Sequence, residues 1–271
     1  MNRLAARAAT FPVLFCLFPL LLSACATTSS PEGSAQGSAQ DRSEIYLDLG
    51  IAYLRQGQPR QALRKLEKAR SLNDEDARVY NGLALTYQEL GFDDKAEEAF
   101  EEAIDIAPED PQVRNNYGAF LAGLGAYDRA RDQFEVALAD PLYSSPENAY
   151  YNLAWLAKRK GEPDRAEGML RTALRLRSDY PAARLALAQL LREQGEPEKA
   201  RKALGKLLDQ HPEHLQGHLE AGELARQLGN REQSVKHFER VLELAPDSGA
   251  AEKARTNLER MGAVDAQALR P

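Results

Sequence analysis

Three of the four histidines lie close together, and their side chains are the first to consider for metal chemistry. His214 and His218 are four residues apart, which places two imidazoles on one face of a helix, a spacing found in zinc sites. His211, however, precedes Pro212 at the end of a predicted repeat, and no carboxylate or thiolate completes an obvious ligand set. We therefore favour a solvated helix start over a metal site, and we expect no metal or cofactor.

The first 24 residues have the layout of a secretory signal. Two arginines precede an uncharged apolar run, residues 11–22, that is too short to span a bilayer comfortably. The run ends in LSAC at residues 22–25, which resembles the lipobox of bacterial lipoproteins. The resemblance implies cleavage before Cys25 and attachment of diacylglycerol to its thiol. The alternative is an ordinary secretory signal with a chance cysteine.

Cleavage would leave Cys25 as the one cysteine of the mature chain, because Cys16 lies in the signal. No internal disulfide could then form, even in an oxidising compartment. Ala26 follows Cys25, and among bacterial lipoproteins this residue implies sorting to the outer membrane. We expect a protein on the periplasmic face of that membrane, held by its acyl chains without a transmembrane helix.

The composition disfavours nucleic-acid binding. The chain carries 35 basic and 41 acidic side chains, and loss of Arg3 and Arg7 with the signal would change the net charge from −6 to about −8. Nucleic-acid binding needs a basic surface that neutralises phosphates.

The sequence also lacks a phosphate-binding loop, a dinucleotide fingerprint, a nucleophile elbow and a zinc-protease helix. We expect neither catalytic residues nor a small-molecule substrate.

A repeating unit occupies the chain from Ser43 onward. One glycine recurs at intervals of 34, 34, 36, 34 and 34 residues, at Gly57, Gly91, Gly125, Gly161, Gly195 and Gly229. Glycine can take the left-handed conformation that ends a helix. A small residue follows five positions later, where two helices must cross closely. These spacings are typical of tetratricopeptide repeats and predict an all-α solenoid of six helical hairpins with a C-terminal capping helix.

The domain boundaries follow from this register. We assign residues 1–24 to the signal peptide, 25–42 to the lipidated cysteine and a flexible tether, 43–262 to the repeats and capping helix, and 263–271 to a tail. The tether assignment rests on a composition rich in Ser, Gly, Ala and Gln. The interval of 36 residues predicts a local change in the superhelix near Leu142, between repeats three and four.

The candidate partner-binding residues are those expected to face the concave groove lined by the first helices. They are Leu47, Ile51, Leu54, Asn81, Leu85, Asn115, Tyr151, Trp155 and Arg159. The stripe of Leu47, Ile51 and Leu54 could bind an apolar segment of a partner, or it could pack against the neighbouring helix or the tether. We expect the core side of this first helix to carry Tyr46, Leu49 and Tyr53. Trp155 could anchor a ligand or pack against repeat five.

Three central segments resemble the type IV pilus biogenesis and stability lipoproteins of the PilF/PilW family. They are NNYGAFL at residues 115–121, ALADPLY at residues 137–143 and AYYNLAWL at residues 149–156. The chain departs from the family at Ala122, where a cysteine is frequent, and at Ala154, where glycine is common; neither change touches the architecture. The resemblance implies an outer-membrane pilotin that binds pilus secretin subunits and promotes their localisation and multimerisation.

Two alternatives remain open. A general periplasmic scaffold lipoprotein, which recruits envelope-assembly factors or peptidoglycan hydrolases, would use the same fold and the same anchor. An enzyme is disfavoured because the repeats occupy the whole predicted folded region.

Overall fold

The computed structural model describes residues 32–262, with side chains from residue 39. Within this range the chain forms thirteen α-helices and no strand. They are α1 (Glu32–Arg55), α2 (Pro59–Arg70), α3 (Ala77–Glu89), α4 (Asp93–Ile106), α5 (Pro111–Gly123), α6 (Tyr127–Ala139), α7 (Pro146–Arg159), α8 (Pro163–Leu176), α9 (Pro181–Glu193), α10 (Pro197–Gln210), α11 (Leu215–Gln227), α12 (Arg231–Leu244) and α13 (Gly249–Arg260). Helices α1–α12 form six hairpins and α13 follows the last one, which confirms the predicted fold class.

Each hairpin turns at the glycine that set the register. All six of these glycines have positive φ, between 68° and 83°. At Gly91, the glycine N–H donates to the carbonyl of Gln88, and the next N–H, from Phe92, donates to the carbonyl of Tyr87 at 2.9 Å. This pair of bonds satisfies the last carbonyls of the first helix and reverses the chain. A side chain at this φ would be strained, so the turn needs glycine.

In the hairpins α5–α6 and α11–α12 the two helices cross closely because the first helix has a glycine at the crossing. A Cβ placed on Gly118 of α5 would lie 2.6 Å from the ring of Phe134 on α6. Gly222 of α11 stands in the same relation to Phe238 of α12, again at 2.6 Å. Both rings are fully buried. In these two pairs the close crossing is therefore formed by a glycine on the first helix against a buried ring on the second.

The core runs along the array between the two layers of helices. The large residue that each second helix contributes is buried at Leu66, Phe100, Phe134, Leu170, Leu204 and Phe238. At the longer join between α6 and α7, Tyr143 is buried against the same core as Phe134, whereas Leu142 is 88% exposed. The core thus continues across this join, and the predicted change in superhelix geometry stays a prediction.

Helix α13 closes the C-terminal end of the array. Ala254 and Leu258 are fully buried in a cluster with Leu219, Phe238 and Val241 of the last repeat. The charged residues of α13 face outward. This is the arrangement expected of a capping helix, which shields the final repeat from water.

The first helix is longer than the sequence indicated. Helix α1 begins at Glu32, so the eleven residues before Ser43 that were assigned to a flexible tether are helical. Ser43 packs against the array, since its buried hydroxyl donates to the carbonyl of Ala69 at 2.9 Å. Because a helix that is already nucleated gains one hydrogen bond for each added residue, a segment rich in Ser, Ala and Gln can extend it. None of the helices in residues 32–262 combines the length and apolar character that a membrane span requires.

Candidate functional site

The predicted apolar stripe on α1 does not form an open groove. Leu47 is only 4% exposed and belongs to the main core cluster, which agrees with the packing alternative and not with an open groove. Gly82 of α3 has no side chain and lets α3 approach α1; the Cδ1 atom of Ile51 lies 3.2 Å from where a Cβ on Gly82 would be. Leu54 is half-buried against the same cluster. The three residues pack against the neighbouring helix.

A different stripe on α1 faces solvent. Ile45 is 58% exposed, Leu49 is 40% exposed, and Ala52 is exposed as well. Leu49 was expected in the core, and Tyr46 and Tyr53 prove to be half-buried. Residues at i, i+4 and i+7 lie on one side of a helix. We call the exposed stripe of Ile45, Leu49 and Ala52 the α1 outer face.

Amide side chains join the first helices of the central repeats. The Asn116 amide donates to the Asn81 oxygen at 3.0 Å, and the Asn152 amide donates to the Asn115 oxygen at 3.1 Å. Asn115 is buried and Asn81 is half-buried, so both contribute to inter-repeat contacts rather than standing free in a groove. Leu85 is half-buried against the core. Buried amides of this kind must be paired, which fixes the relative position of α3, α5 and α7.

The structure does bring together Tyr151, Trp155 and Arg159. They line a cavity of about 430 Å³ between α7 and α9, together with Lys158 and Gln189. We call it the aromatic cavity. The guanidinium of Arg159 lies 5.1 Å from the centre of the Trp155 ring. Trp155 is 40% exposed, so this predicted residue is accessible rather than packed into the core.

Two further residues beside this cavity were not predicted. Tyr127 of α6 packs edge-on against Trp155 at 5.8 Å between ring centres, and its hydroxyl accepts from Arg159 at 3.0 Å. Tyr180, in the join before α9, lies 5.4 Å from Tyr151. An exposed indole held between an arginine and a tyrosine can contact an apolar or carboxylate-bearing group of a partner. Both tyrosines lie in other helices or joins, so periodicity along α7 could not reveal them.

The histidines do not form the solvated start that their positions suggested. His218 is 9% exposed, and its Nδ1 lies 3.0 Å from Nδ1 of His237 on α12. Its Nε2 lies 2.9 Å from the carbonyl oxygen of Pro212, which can only accept, so Nε2 donates. In neutral His218, Nδ1 must then accept a hydrogen bond from Nδ1–H of His237. His237 lies nineteen residues away on α12, and no spacing pattern in the sequence indicated this pair.

The environments of His237 and His214 disfavour a positive charge on these two rings. Burial, with smaller contributions from His218 and Lys236, lowers the pKa of His237 from 6.5 to about 4. Burial also lowers the pKa of His214, whose Nδ1 accepts from the N–H of Gly217 and caps α11. Within the described residues, no three His, Cys, Asp or Glu side chains are grouped so that they could hold a metal ion. Cys25 lies outside those residues.

Sequence profiles of the tetratricopeptide repeat match residues 47–111, 82–146, 157–217 and 191–258, which together exceed half of the chain. A comparison with curated protein sequences gives no significant match.

Two solved structures are similar over nearly their whole length. PilF of Pseudomonas aeruginosa is 25% identical with a TM-score of 0.70, covering 82% of this chain and 99% of that one. PilW, a widely conserved type IV pilus biogenesis factor, is 28% identical with a TM-score of 0.71, covering 80% and 98%. YrrB, a tetratricopeptide protein with an unusual peptide-binding site, shares the fold at 22% identity and a TM-score of 0.51, over 70% and 97% of the two chains. The hairpins, the matched profiles and these likenesses agree: the chain belongs to the tetratricopeptide-repeat family.

Proposed function

We propose that the protein is an outer-membrane lipoprotein that binds secretin subunits and promotes their localisation and multimerisation in type IV pilus biogenesis. The observation that carries the proposal is the likeness to PilF and PilW, which extends over 99% and 98% of those chains. A shared fold alone would not distinguish a pilus factor from other repeat proteins. Similarity over nearly the whole length of those chains, with 25% and 28% identity, supports this more specific role.

The α1 outer face is the surface that we assign to the secretin. Helix α1 starts the array, so no earlier repeat within the described residues covers its outer side. Two large apolar side chains, Ile45 and Leu49, stand exposed there on one stripe. Exposed apolar stripes on a helix are suited to an amphipathic or extended segment of a partner. This surface replaces Leu47, which the core already buries.

The membrane anchor would place that surface close to the bilayer. Six residues separate Cys25 from Glu32, and the distance between these two residues is at most about 25 Å. The helical residues before Ser43 add about 16 Å at 1.5 Å per residue. The first repeat is therefore joined to the lipid by a short connection, and the part of this connection that belongs to α1 is a helix. A secretin subunit bound at α1 would be held near the membrane into which it assembles.

Co-purification tests the proposal. Tagged full-length protein, solubilised from membranes, is expected to recover the secretin, and Ile45→Asp with Leu49→Asp is expected to lose it because charge opposes burial of an apolar partner. Leu142→Asp is the matched control: it introduces the same charge at an 88% exposed leucine in the join between α6 and α7. All variants should keep the same melting temperature by circular dichroism.

The possible results separate the claims. Equal recovery of secretin by the α1 variants would remove the α1 outer face from the interface. Failure of the unmodified protein to recover any secretin would contradict the proposed function itself. Cys25→Ala is expected to leave the protein out of the outer-membrane fraction, and its presence there would reject the lipid anchor.

A further inference from the structure

The grooves between successive second helices differ greatly in size. The groove between α2 and α4 has a volume of about 290 Å³, and the one between α6 and α8, which Met169 lines, has about 10 Å³. Those on either side of α10 are much larger: about 710 Å³ between α8 and α10, and about 620 Å³ between α10 and α12. Volumes of this size are typical of binding cavities.

Glycine at position 205 sets α10 apart from the other second helices. Five residues after the small crossing residue, the other five repeats carry a long charged side chain, at Glu67, Glu101, Glu135, Arg171 and Glu239. Repeat five carries Gly205 at that position. At this position the surface of α10 therefore has no side chain, whereas each of the other five second helices carries a long one.

The packing of the chain does not require this glycine. Gly118 and Gly222 each have a ring atom 2.6 Å from where a Cβ would be, which explains them. Gly205 has nothing within 4 Å of that point. Glycine within a helix is destabilising relative to alanine, so its presence in the middle of α10 has no reason in the described fold. What distinguishes Gly205 from Gly168, which also has open space at its Cβ position, is that Gly205 lines two large cavities.

The two large cavities meet at this glycine. Arg201, Gly205 and Asp209 line both of them. An extended segment could therefore run from one cavity to the other across α10, passing over the position that lacks a side chain. With a long side chain there, as in the other five repeats, α10 would form a ridge between the cavities.

The cavity between α8 and α10, which we call the cationic cavity, is rich in positive charge. Seven Lys and Arg side chains line it, and Asp209 is its one carboxylate. Among the described residues, Arg175, Lys202 and Lys206 make no ion pair within 4.0 Å and are exposed. This concentration stands out in a chain with a net charge of −6. The floor is apolar, with Leu187 and Leu191 nearly buried.

The cavity between α10 and α12, which we call the apolar cavity, has a different character. Leu208, Leu224 and Leu228 contribute to its walls, and Leu228 is 41% exposed. One charged carboxylate of α10, Glu198, is already paired with Arg201 at 2.7 Å. The two cavities thus present unpaired cations on one side of Gly205 and leucines on the other.

We propose that this surface binds a polypeptide segment that crosses α10 at Gly205, with carboxylate side chains in the cationic cavity and apolar side chains in the apolar cavity. Charge complementarity with the cationic cavity favours an acidic half of the segment, and burial against the leucines of the apolar cavity favours an apolar half. The surface lies on the second helices of repeats four to six, far along the chain from the α1 outer face. It therefore gives the protein a second partner-binding surface, independent of the proposed secretin contact.

Fluorescence anisotropy with labelled peptides tests this proposal on the purified full mature chain. The probe has a glutamate-rich half joined to a leucine-rich half, made in both orders, and the control peptide has lysine in place of each glutamate. Gly205→Gln is expected to weaken binding by about tenfold or more, the loss typical of an important interface position. Gly168→Gln is the matched control, because Gly168 also lies within a second helix with nothing within 4 Å of its Cβ position and lines neither cavity.

Lys202→Gln with Lys206→Gln is expected to weaken binding and to reduce its salt dependence, since these cations make no internal ion pair. Equal affinity for the lysine peptide, or equal losses in the two glycine variants, would overturn the proposal. Vesicles containing phosphatidylglycerol form a second arm. If the protein binds these vesicles but not the peptide, and Gly205→Gln abolishes the vesicle binding, the surface binds lipid and the proposal is overturned. If the protein self-associates with increasing concentration but does not bind the peptide, and Gly205→Gln abolishes the self-association, the surface binds a second copy of the chain. That result would also overturn the proposal.

Discussion

Gly118→Ala is expected to destabilise the protein although alanine is the better helix former. The new Cβ would lie 2.6 Å from Cε1 and 2.8 Å from Cδ1 of Phe134, and 3.1 Å from the carbonyl oxygen of Ala130. Phe134 and Ala130 are both fully buried, so neither can move aside freely. Such overpacking costs about 1–3 kcal/mol, and the gain in helix propensity offsets about 1 kcal/mol of it. We expect a net loss of about 1 kcal/mol.

Gly168→Ala is the matched control for this change. Gly168 lies within α8 and has nothing within 4 Å of its Cβ position. The same substitution should there stabilise the protein by up to about 1 kcal/mol. Urea unfolding followed by circular dichroism at 222 nm, an α-helical signal, would measure both variants under the same conditions (about 25 °C). Midpoints that shift in the same direction for the two variants would refute the close-crossing explanation.

A double variant tests the named contact directly. Phe134→Ala alone removes the buried ring and should cost about 3–5 kcal/mol. In that background Gly118→Ala no longer meets the ring, so it should become neutral or stabilising, and the two effects should not add. If Gly118→Ala destabilises the protein equally with and without the ring, the clash with Phe134 is not its cause.

Three further predictions concern other parts of the array. Burial lowers the pKa of His237 to about 4, so between about pH 6.5 and pH 4 the unfolded chain binds a proton at this residue and the folded chain does not. The free energy of unfolding should therefore decrease as the pH falls through this range. His237→Gln should make the decrease in the urea midpoint smaller. Asn115→Ala should cost about 1–3 kcal/mol in the same assay because it leaves the amide of Asn152 without its acceptor. Removal of α13 should lower the melting temperature and promote aggregation, because it exposes the buried ring of Phe238. A flat pH profile, an unchanged midpoint or a fully stable truncation would contradict these expectations in turn.

The repeat architecture could be predicted from the sequence because its determinants are local. A glycine that needs positive φ, followed five residues later by a small residue, marks each hairpin without reference to distant parts of the chain. Each of these positions has its function within one hairpin, so spacing alone reveals it.

The partner-facing side of α1 could not be predicted in the same way. The helix carries two apolar stripes, one containing Leu47 and one containing Ile45 and Leu49, and both have helical periodicity. Which stripe is buried depends on how the neighbouring helices pack against α1, as at Gly82 of α3 beside Ile51. The pairing of His218 with a ring on α12 was hidden for a related reason, since it depends on how two helices cross.

The role in pilus secretin assembly is tested most directly by deleting the gene and following the secretin. We expect loss of denaturant-resistant secretin multimers from the outer-membrane fraction and loss of twitching motility, with both restored by the unmodified gene. The Cys25→Ala gene should restore neither, because its product lacks the anchor. Normal multimers and normal motility in the deletion strain would contradict the proposed function and would favour a general scaffold of the cell envelope.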